Sequence, residues 1–173
     1  IADSQVRSFI NGGSSKYSPV KMLNAAGDEI MRRNGFQVPA GEISFQRMTM
    51  DAVTGPSKLV DVAVGPEKTW SIIDEKRSKI FTYDFDGNLL FAFGNDGSQL
   101  GNIKTIRAIA YQGDLLLVLD SNFNSFTVFQ RTEYGDILIR ALANENARRY
   151  SKAVDDWTEI LKRNINFDAA YIG

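Results

Sequence analysis

The chain has 173 residues, of which 43% are hydrophobic and 24% are charged, and its 20 Lys and Arg residues nearly balance its 21 Asp and Glu residues. This is ordinary globular composition, and the near-zero net charge argues against a nucleic-acid-binding surface, which needs clustered cations against phosphate. The sequence contains neither His nor Cys, which excludes imidazole bases, thiolate nucleophiles, disulfides and Cys/His zinc sites.

The sequence pattern divides the chain into three parts. Residues 1–17 include the run Asn11–Ser15, whose Asn, Gly and Ser residues predict a flexible N-terminal arm. Residues 18–130 predict β-strands, because short runs rich in Val, Ile, Phe and Tyr alternate with turn residues. Residues 131–173 predict helices, because apolar residues recur every three or four positions.

The sequence shows no signal peptide and no membrane span. The longest apolar runs, Leu89–Phe93 and Leu115–Leu119, are far shorter than the about 20 residues that a spanning helix needs. The chain begins at Ile1 rather than Met and ends abruptly at Gly173. We therefore expect it to be a piece of a longer protein.

Within the predicted strands the sequence repeats with an offset of 46 residues. The stretch from Lys58 aligns with the stretch from Lys104, and each predicts three strands with an Asp-led turn before the third. A turn at Asp86–Asn88 adds a fourth strand to the first copy only. The aligned pairs are Lys58 with Lys104, Val60 with Ile106, Asp74 with Asp120, Ile80 with Phe126, and Tyr83 with Phe129.

A third, partial copy lies upstream. Val20–Arg32 aligns with the end of the first copy and places Gly27 under Gly87. A period in the forties with four strands per unit is typical of a β-propeller, in which neighbouring blades cover each other's apolar faces. We therefore expect a mainly β fold with a helical C-terminus, in which residues 18–130 form a partial propeller of two to three four-stranded antiparallel blades.

Two helices are predicted at Glu133–Glu145 and Ala147–Arg163, with Thr132 as the first N-cap. Because their linker is short, they should pair as an antiparallel hairpin, and a third helix should begin near Asp168. The residues assigned to the core are Trp70 in a strand and, in the helices, Leu138, Ala141, Tyr150, Ala153 and Trp157.

Both parts of the chain resemble known repeat families. The pattern of Ile73–Gly94 is similar to the NHL-type repeat of six-bladed β-propellers, as are Gly97–Gly101 and Val118–Phe129. The spacing of Tyr150–Asn164 resembles the second helix of a tetratricopeptide repeat, and Asn166–Tyr171 resembles the entry to the next repeat.

Propeller blades that run straight into tetratricopeptide helices are similar to a group of Firmicutes surface proteins. In that group a secretion signal precedes the propeller, a Yip-type membrane domain often follows the helices, and the genes often neighbour carbohydrate importers. The resemblance implies an extracytoplasmic location and a place in a surface or transport-associated assembly.

Two charged residues are candidate ligand contacts. Asp61 and Arg107 occupy equivalent places in the innermost strands of two copies, so they could line a central channel and bind a polar ligand. The alternative is a channel-wall ion pair or a solvated rim.

The other acidic residues favour structural roles. Asp74 and Asp120 predict turn caps, because catalytic carboxylates must share one pocket, whereas equivalent blade positions are spread around a ring. The run Asp84–Asn88 predicts a hairpin turn, since it lacks the Gly and Glu spacing of an EF-hand calcium loop. The sequence therefore assigns no catalytic, cofactor-binding or metal-ligating residue.

These observations favour a non-catalytic binding or scaffold module, a propeller plus a helical-repeat adaptor, whose partner is a protein or a glycan and not a nucleic acid. One alternative is a propeller enzyme, a lactonase or glycan-active hydrolase, that uses Asp and Glu or an oxygen-ligated metal. Another is a structural part of a transport or surface assembly. A closed six-bladed ring needs on the order of 240 residues, so we expect further segments or a second copy of the chain to cover open blade faces.

Overall fold

The computed structural model describes residues 20–31, 57–97, 99 and 101–171. These residues form two antiparallel β-sheets followed by two α-helices. The predicted fold class, mainly β with a helical C-terminus, is therefore confirmed. The predicted arm at residues 1–17 lies outside the described residues.

Sheet 1 has four strands and sheet 2 has three, and in both sheets each strand pairs with the next one in the sequence. The strands of sheet 1 are β1 (Leu59–Val64), β2 (Trp70–Asp74), β3 (Lys79–Tyr83) and β4 (Leu89–Phe93). The strands of sheet 2 are β5 (Ile106–Gln112), β6 (Leu115–Asp120) and β7 (Ser125–Gln130). The extra strand of sheet 1 follows the turn at Asp86–Asn88, as the sequence predicts.

The two sheets use the same turn between their second and third strands. Asp74 and Asp120 are both buried, and each carboxylate accepts two or more backbone N–H groups. The donors are Lys58 and Lys76 at 3.1 Å for Asp74, and Lys104 at 2.7 Å, Asn122 at 2.8 Å and Thr105 at 3.3 Å for Asp120. Ser78 and Asn124 then take matching left-handed backbone conformations, with φ of 51° and 46°. The predicted turn-capping role of the two carboxylates is confirmed.

Two hairpin turns, at residues 24–28 and 84–88, share a backbone conformation. Gly27 and Gly87 have φ of 88° and 86°, a conformation that favours glycine because it has no Cβ. In each turn the first side chain accepts the N–H of the fifth residue, from Asp28 to Asn24 at 2.9 Å and from Asn88 to Asp84 at 2.8 Å. The first and fifth side chains of the turn are therefore Asn24 and Asp28 in one case, and Asp84 and Asn88 in the other.

Each face of sheet 1 packs against a different part of the chain. One face packs on the segment 20–31, and Trp70 stacks there on Tyr83 with ring centroids 4.4 Å apart. The other face packs on sheet 2. The residues buried between the sheets are Ile73, Ile80, Ile103, Ile106, Ile109, Leu116 and Val118.

A polar contact crosses the interface between the sheets. The Tyr111 hydroxyl lies 2.8 Å from Ser71 Oγ, which also lies 2.7 Å from Thr82 Oγ1. Gly65 leaves room for two side chains, because a Cβ at residue 65 would lie 2.8 Å from both Tyr111 Cζ and Thr69 Oγ1. Cβ atoms in proteins essentially never lie so close to a neighbouring atom.

We expect Gly65→Ala to lower the free energy of unfolding by about 1–3 kcal/mol, because the added methyl group overpacks the interface. Urea denaturation would measure the change. The matched test is a double-mutant cycle with Tyr111→Ala, which removes one of the two clashing groups and leaves Thr69 in place. The double variant should cost less than the sum of the two single changes, and strict additivity would show that the Tyr111 ring does not clash with the added methyl group.

The C-terminal helices are α1 (Glu133–Asn146) and α2 (Tyr150–Arg163). Thr132 caps α1 by accepting the N–H of Gly135 at 3.4 Å, as predicted. The second helix begins three residues later than predicted, because Arg148 has a φ of 57°, which no α-helix accommodates. The predicted third helix is a short 3₁₀ turn at Asp168–Tyr171.

The helical hairpin has its own hydrophobic core, which also includes part of β4. Leu90 and Phe91 of that strand pack against it. Its buried helical residues include Leu138, Ala141, Ala153, Trp157 and Ile160.

The prediction that Tyr150 belongs to the core of the helices is wrong. Tyr150 is 62% exposed. It is the first residue of α2, so its side chain lies at the start of the helix rather than on the face that contacts α1.

Candidate functional site

Asp61, one of the two candidate ligand contacts, joins the two sheets. Its Oδ1 accepts the N–H of Val62 and its Oδ2 accepts the N–H of Ile109 in β5, both at 2.9 Å. Both carboxylate oxygens therefore bind backbone. These contacts hold the bulge in β1 and position β5 against it.

Arg107, the other candidate, is exposed on β5. Its Nη1 lies 2.9 Å from Glu75 Oε1, and its Nε donates to Ser121 Oγ at 3.3 Å. Glu75 also pairs with Lys58. Among the described residues, Asp61 and Arg107 thus have separate partners and do not bind each other. Their role in ligand binding stays a prediction.

The outer face of sheet 2 is apolar and exposed to solvent. We call it the open face. Phe126 is 69% exposed and Val128 is 55% exposed. Cross-strand pairing places the members of this face together: Ala108, Ala110, Leu117, Leu119, Phe126 and Val128. Exposed apolar side chains grouped on one sheet face are typical of a contact surface.

An aromatic cleft of about 360 Å³ lies between β4 and the end of sheet 2. Its walls include Phe91, Phe93, Phe129 and Tyr134. Arg131 also lines it and is held by Asp114 and Asp136, at 2.6 and 3.0 Å. The cleft is mostly apolar, and its cation is already paired.

A second cavity, of about 300 Å³, lies between sheet 1 and the helical hairpin. We call it the acidic cavity. Its carboxylates come from three separate segments: the turn after β1, the β3–β4 turn and the last turn of α1. They belong to Glu67, Asp84, Asp86 and Glu145. Phe85, Asn146 and Trp157 also line the cavity.

Three carboxylates of the acidic cavity, those of Asp84, Asp86 and Glu145, repel one another. Burial raises the pKa of Asp84 above its usual range, against the hydrogen bonds from Asn88, and the charge of Asp86 raises it further. Burial likewise raises the pKa of Glu145, and the charges of Asp84 and Asp86 add to the effect. The anionic form of both groups is therefore destabilised in the folded protein.

Two aromatic side chains complete the acidic cavity. Trp157 is 4% exposed, and its Nε1 has no hydrogen-bond partner among the residues that the structure describes. Phe85 already holds a cation, because Lys68 Nζ lies 5.6 Å from its ring centroid. An indole N–H is a donor only, and that of Trp157 is closed off from solvent, so leaving it without an acceptor costs stability.

The described residues contain no group of three or more Asp or Glu side chains that could hold a metal ion. Within the same ranges, no helix is long and apolar enough to cross a membrane.

Sequence reasoning placed Asp84 and Asp86 in a turn and Trp157 in a helix core, but it did not bring them together. Glu67 and Glu145 carried no signal, because their proximity depends on how the helical hairpin packs on sheet 1.

No protein-family model matches the chain, and no match to a curated protein was found.

Proposed function

We propose that the chain is a non-catalytic binding and scaffold module, in which propeller-type sheets are followed by a tetratricopeptide-like helical hairpin. The open face of sheet 2 carries this proposal. Its apolar side chains occupy the positions that sheet 1 uses to bind its neighbour.

The correspondence follows from strand pairing. Ile73 pairs with Ile80 in sheet 1, and both are fully buried against sheet 2. The residues 46 positions later, Leu119 and Phe126, pair in the same way on the open face. Sheet 1 therefore buries against a neighbouring sheet the positions that sheet 2 leaves exposed.

This correspondence identifies the kind of partner that fits the open face. In sheet 1 the two faces contact different neighbours. Neighbouring sheets therefore stack head to tail, with unlike faces in contact. The partner of the open face is thus a further sheet of the same kind. Such a sheet comes either from further repeats of a longer chain or from a second copy of this one.

Three further observations support a propeller-type arrangement. The Asp74 and Asp120 turns match, the turns at residues 24–28 and 84–88 match, and the sequence resembles NHL-type repeats. The same resemblance supports an extracytoplasmic location in a surface or transport-associated assembly. Both repeat types are binding scaffolds, which supports an adaptor rather than an enzyme.

The open face can be tested with the double variant Phe126→Ser/Val128→Thr, in which Thr matches the Thr82 of sheet 1. We expect the unaltered chain to self-associate across a dilution series, or to bind an apolar dye where it stays monomeric, because water-exposed apolar surface favours burial. Light scattering would measure self-association and dye fluorescence would measure dye binding. The double variant should reduce both signals.

Phe123→Ser is the matched control, since Phe123 is an exposed aromatic residue in the turn before β7 rather than on the open face. It should change neither measurement. Self-association separates a second copy from further repeats as the source of the partner sheet. A compact monomer whose unfolding does not depend on concentration, and which binds no dye, would refute the proposal.

A further inference from the structure

We propose that the free edge of β7, the side of Ser125–Gln130 that points away from β6, binds an extended peptide segment of a partner protein. The segment adds a fourth strand to sheet 2 and places one apolar side chain over the aromatic cleft. This inference goes beyond the proposed function. The open face is one face of sheet 2, whereas the peptide pairs with an edge of that sheet and reaches the cleft on the opposite face.

Sheet 2 lacks the strand that completes sheet 1. In sheet 1, β4 pairs with β3 on the side away from β2. In sheet 2, β7 takes the place of β3, and within the described part of the chain it pairs only with β6. The chain does not supply the missing strand by continuing, because β7 ends at Gln130 and α1 begins at Glu133. An edge strand of this kind is a template for pairing with another chain.

The backbone contacts of sheet 2 identify which groups of β7 point outward. Ser121 donates its N–H to the Thr105 carbonyl at 3.0 Å, next to the pair Ile106–Asp120. In an antiparallel ladder such a bond flanks a pair that does not itself exchange hydrogen bonds. The N–H and C=O of Asp120 therefore point away from β5 and toward Ser125, its partner in β7.

The backbone groups of Phe126 and Val128 point away from β6, because successive residues of a strand direct these groups to opposite sides. No residue that the structure describes binds them. Their counterparts in β3 both pair with β4: Ile80 with Phe93, and Thr82 with Phe91. An added antiparallel strand would bond to the outward groups of β7 in the same way.

The aromatic cleft lies beside the place of the added strand. In sheet 1, Leu89 of β4 pairs with Tyr83. The counterpart of Tyr83 in β7 is Phe129, which forms a wall of the cleft. Directly opposite residues of neighbouring strands lie on the same face of a sheet. An apolar side chain opposite Phe129 would therefore cover the cleft, whose volume is about 360 Å³, and remove its aromatic walls from water.

A peptide with an apolar residue at this position fits the site better than a second copy of the chain. Two β7 strands paired around Val128 would place Thr127 opposite Phe129, and thus a hydroxyl over a mostly apolar cleft. The ligand needs no charge, because Arg131, which lines the cleft, is already held by two aspartates. The ligand is therefore an uncharged extended segment as long as the five residues of β4.

The probe is a synthetic peptide with the sequence of residues 87–94, GNLLFAFG, which contains β4, flanked by lysines for solubility. We expect its labelled form to bind the chain saturably in fluorescence anisotropy, and the backbone amide resonances of Phe126 and Val128 to shift. Methylating the backbone nitrogens of its two phenylalanines should abolish binding, because these N–H groups would face β7. Methylating the nitrogen of the alanine between them is the matched control and should leave binding intact, since that N–H would point away.

Two side-chain changes test the cleft and the edge. Replacing the first leucine of the probe, the counterpart of Leu89, with serine should weaken binding about tenfold, because a buried apolar side chain is lost. Val128→Pro in the protein removes one outward N–H but no bond to β6, as edge strands allow, and should weaken binding about tenfold. Val128→Thr keeps the N–H, and its affinity should stay within about fivefold of that of the unaltered chain.

The methylated probes act on the unaltered chain, so they give a result even where Val128→Pro does not fold. No saturable binding, equal binding of the two methylated probes, or unchanged binding by a folded Val128→Pro variant would each overturn the proposal. Self-association that Val128→Pro removes, in a chain that does not bind the peptide, would assign the edge to a second copy and overturn it as well. The double variant of the open face keeps both outward N–H groups and should bind the peptide, so the two proposals fail separately.

Discussion

Replacing Asp120 with Ala is expected to lower the free energy of unfolding by about 3 kcal/mol or more, because each buried donor left without an acceptor costs about 1–3 kcal/mol. The carboxylate is 1% exposed and accepts the backbone N–H groups of Lys104 and Asn122 at 2.7 and 2.8 Å. These contacts tie the start of sheet 2 to the turn that leads into β7. Urea denaturation monitored by circular dichroism would measure the loss.

Ser121→Ala, at an exposed neighbour in the same turn, is the matched control and should cost much less. An Asp120→Ala variant as stable as this control would show that water replaces the carboxylate without loss.

The contacts of Asp120 also set an acid limit on stability. Burial alone would raise its pKa, but the hydrogen bonds from the backbone of Lys104, Asn122 and Thr105 outweigh burial and hold the pKa below its usual range. Because the unfolded chain then takes up the proton more readily, the contribution of Asp120 is complete above about pH 5 and is lost as the pH falls through the folded-state pKa. Asp120→Asn should flatten this part of the stability profile.

Local patterns predicted much of the fold. Alternating apolar residues and turn residues act over a few positions, so they indicated the strands, the fourth strand after Asp86–Asn88 and both buried turn carboxylates. The offset of 46 residues between the copies was also visible in the sequence. In the first strand of each sheet the structures align one residue away from this offset. Leu59 rather than Val60 corresponds to Ile106, because each of them pairs with the turn aspartate of its sheet.

The errors have physical causes that a pattern does not contain. The start of α2 depends on the left-handed backbone of Arg148, and this is a conformation that arginine adopts only when the surrounding structure requires it. Tyr150 follows the apolar spacing but lies in the first turn of the helix, where α1 does not cover it. Periodicity identifies a face and not how far along the helix that face is buried.

The acidic cavity could not be predicted because it is a tertiary feature. Glu67 and Glu145 are far apart in the sequence, and each taken alone reads as a solvated surface residue. The side chains converge only when α1 packs across the end of sheet 1. The expectation that Asp61 and Arg107 occupy equivalent places is wrong, because the displacement by one residue makes Ala108 the structural counterpart of Asp61.

Trp157→Ala should lower the free energy of unfolding by about 3–5 kcal/mol, as expected when a large buried ring is removed from a core that cannot collapse around the space. Trp157 is almost fully buried and stacks on Phe167, with ring centroids 6.4 Å apart. It thereby joins α2 to the segment that follows the helix. Leu90 of β4 belongs to the same core, so the loss should also weaken the attachment of the helices to sheet 1.

Val154→Ala on the exposed side of α2 is the matched control, because it shortens an apolar side chain of the same helix without opening the core. Thermal unfolding followed at the helix band should show a large drop in the midpoint for Trp157→Ala and little change for Val154→Ala. Trp157→Phe should lie between them, since it keeps most of the ring volume. If Trp157→Ala and Val154→Ala unfolded at the same temperature, Trp157 would not hold the hairpin together, and the burial of its ring in the helical core would not stabilise the fold.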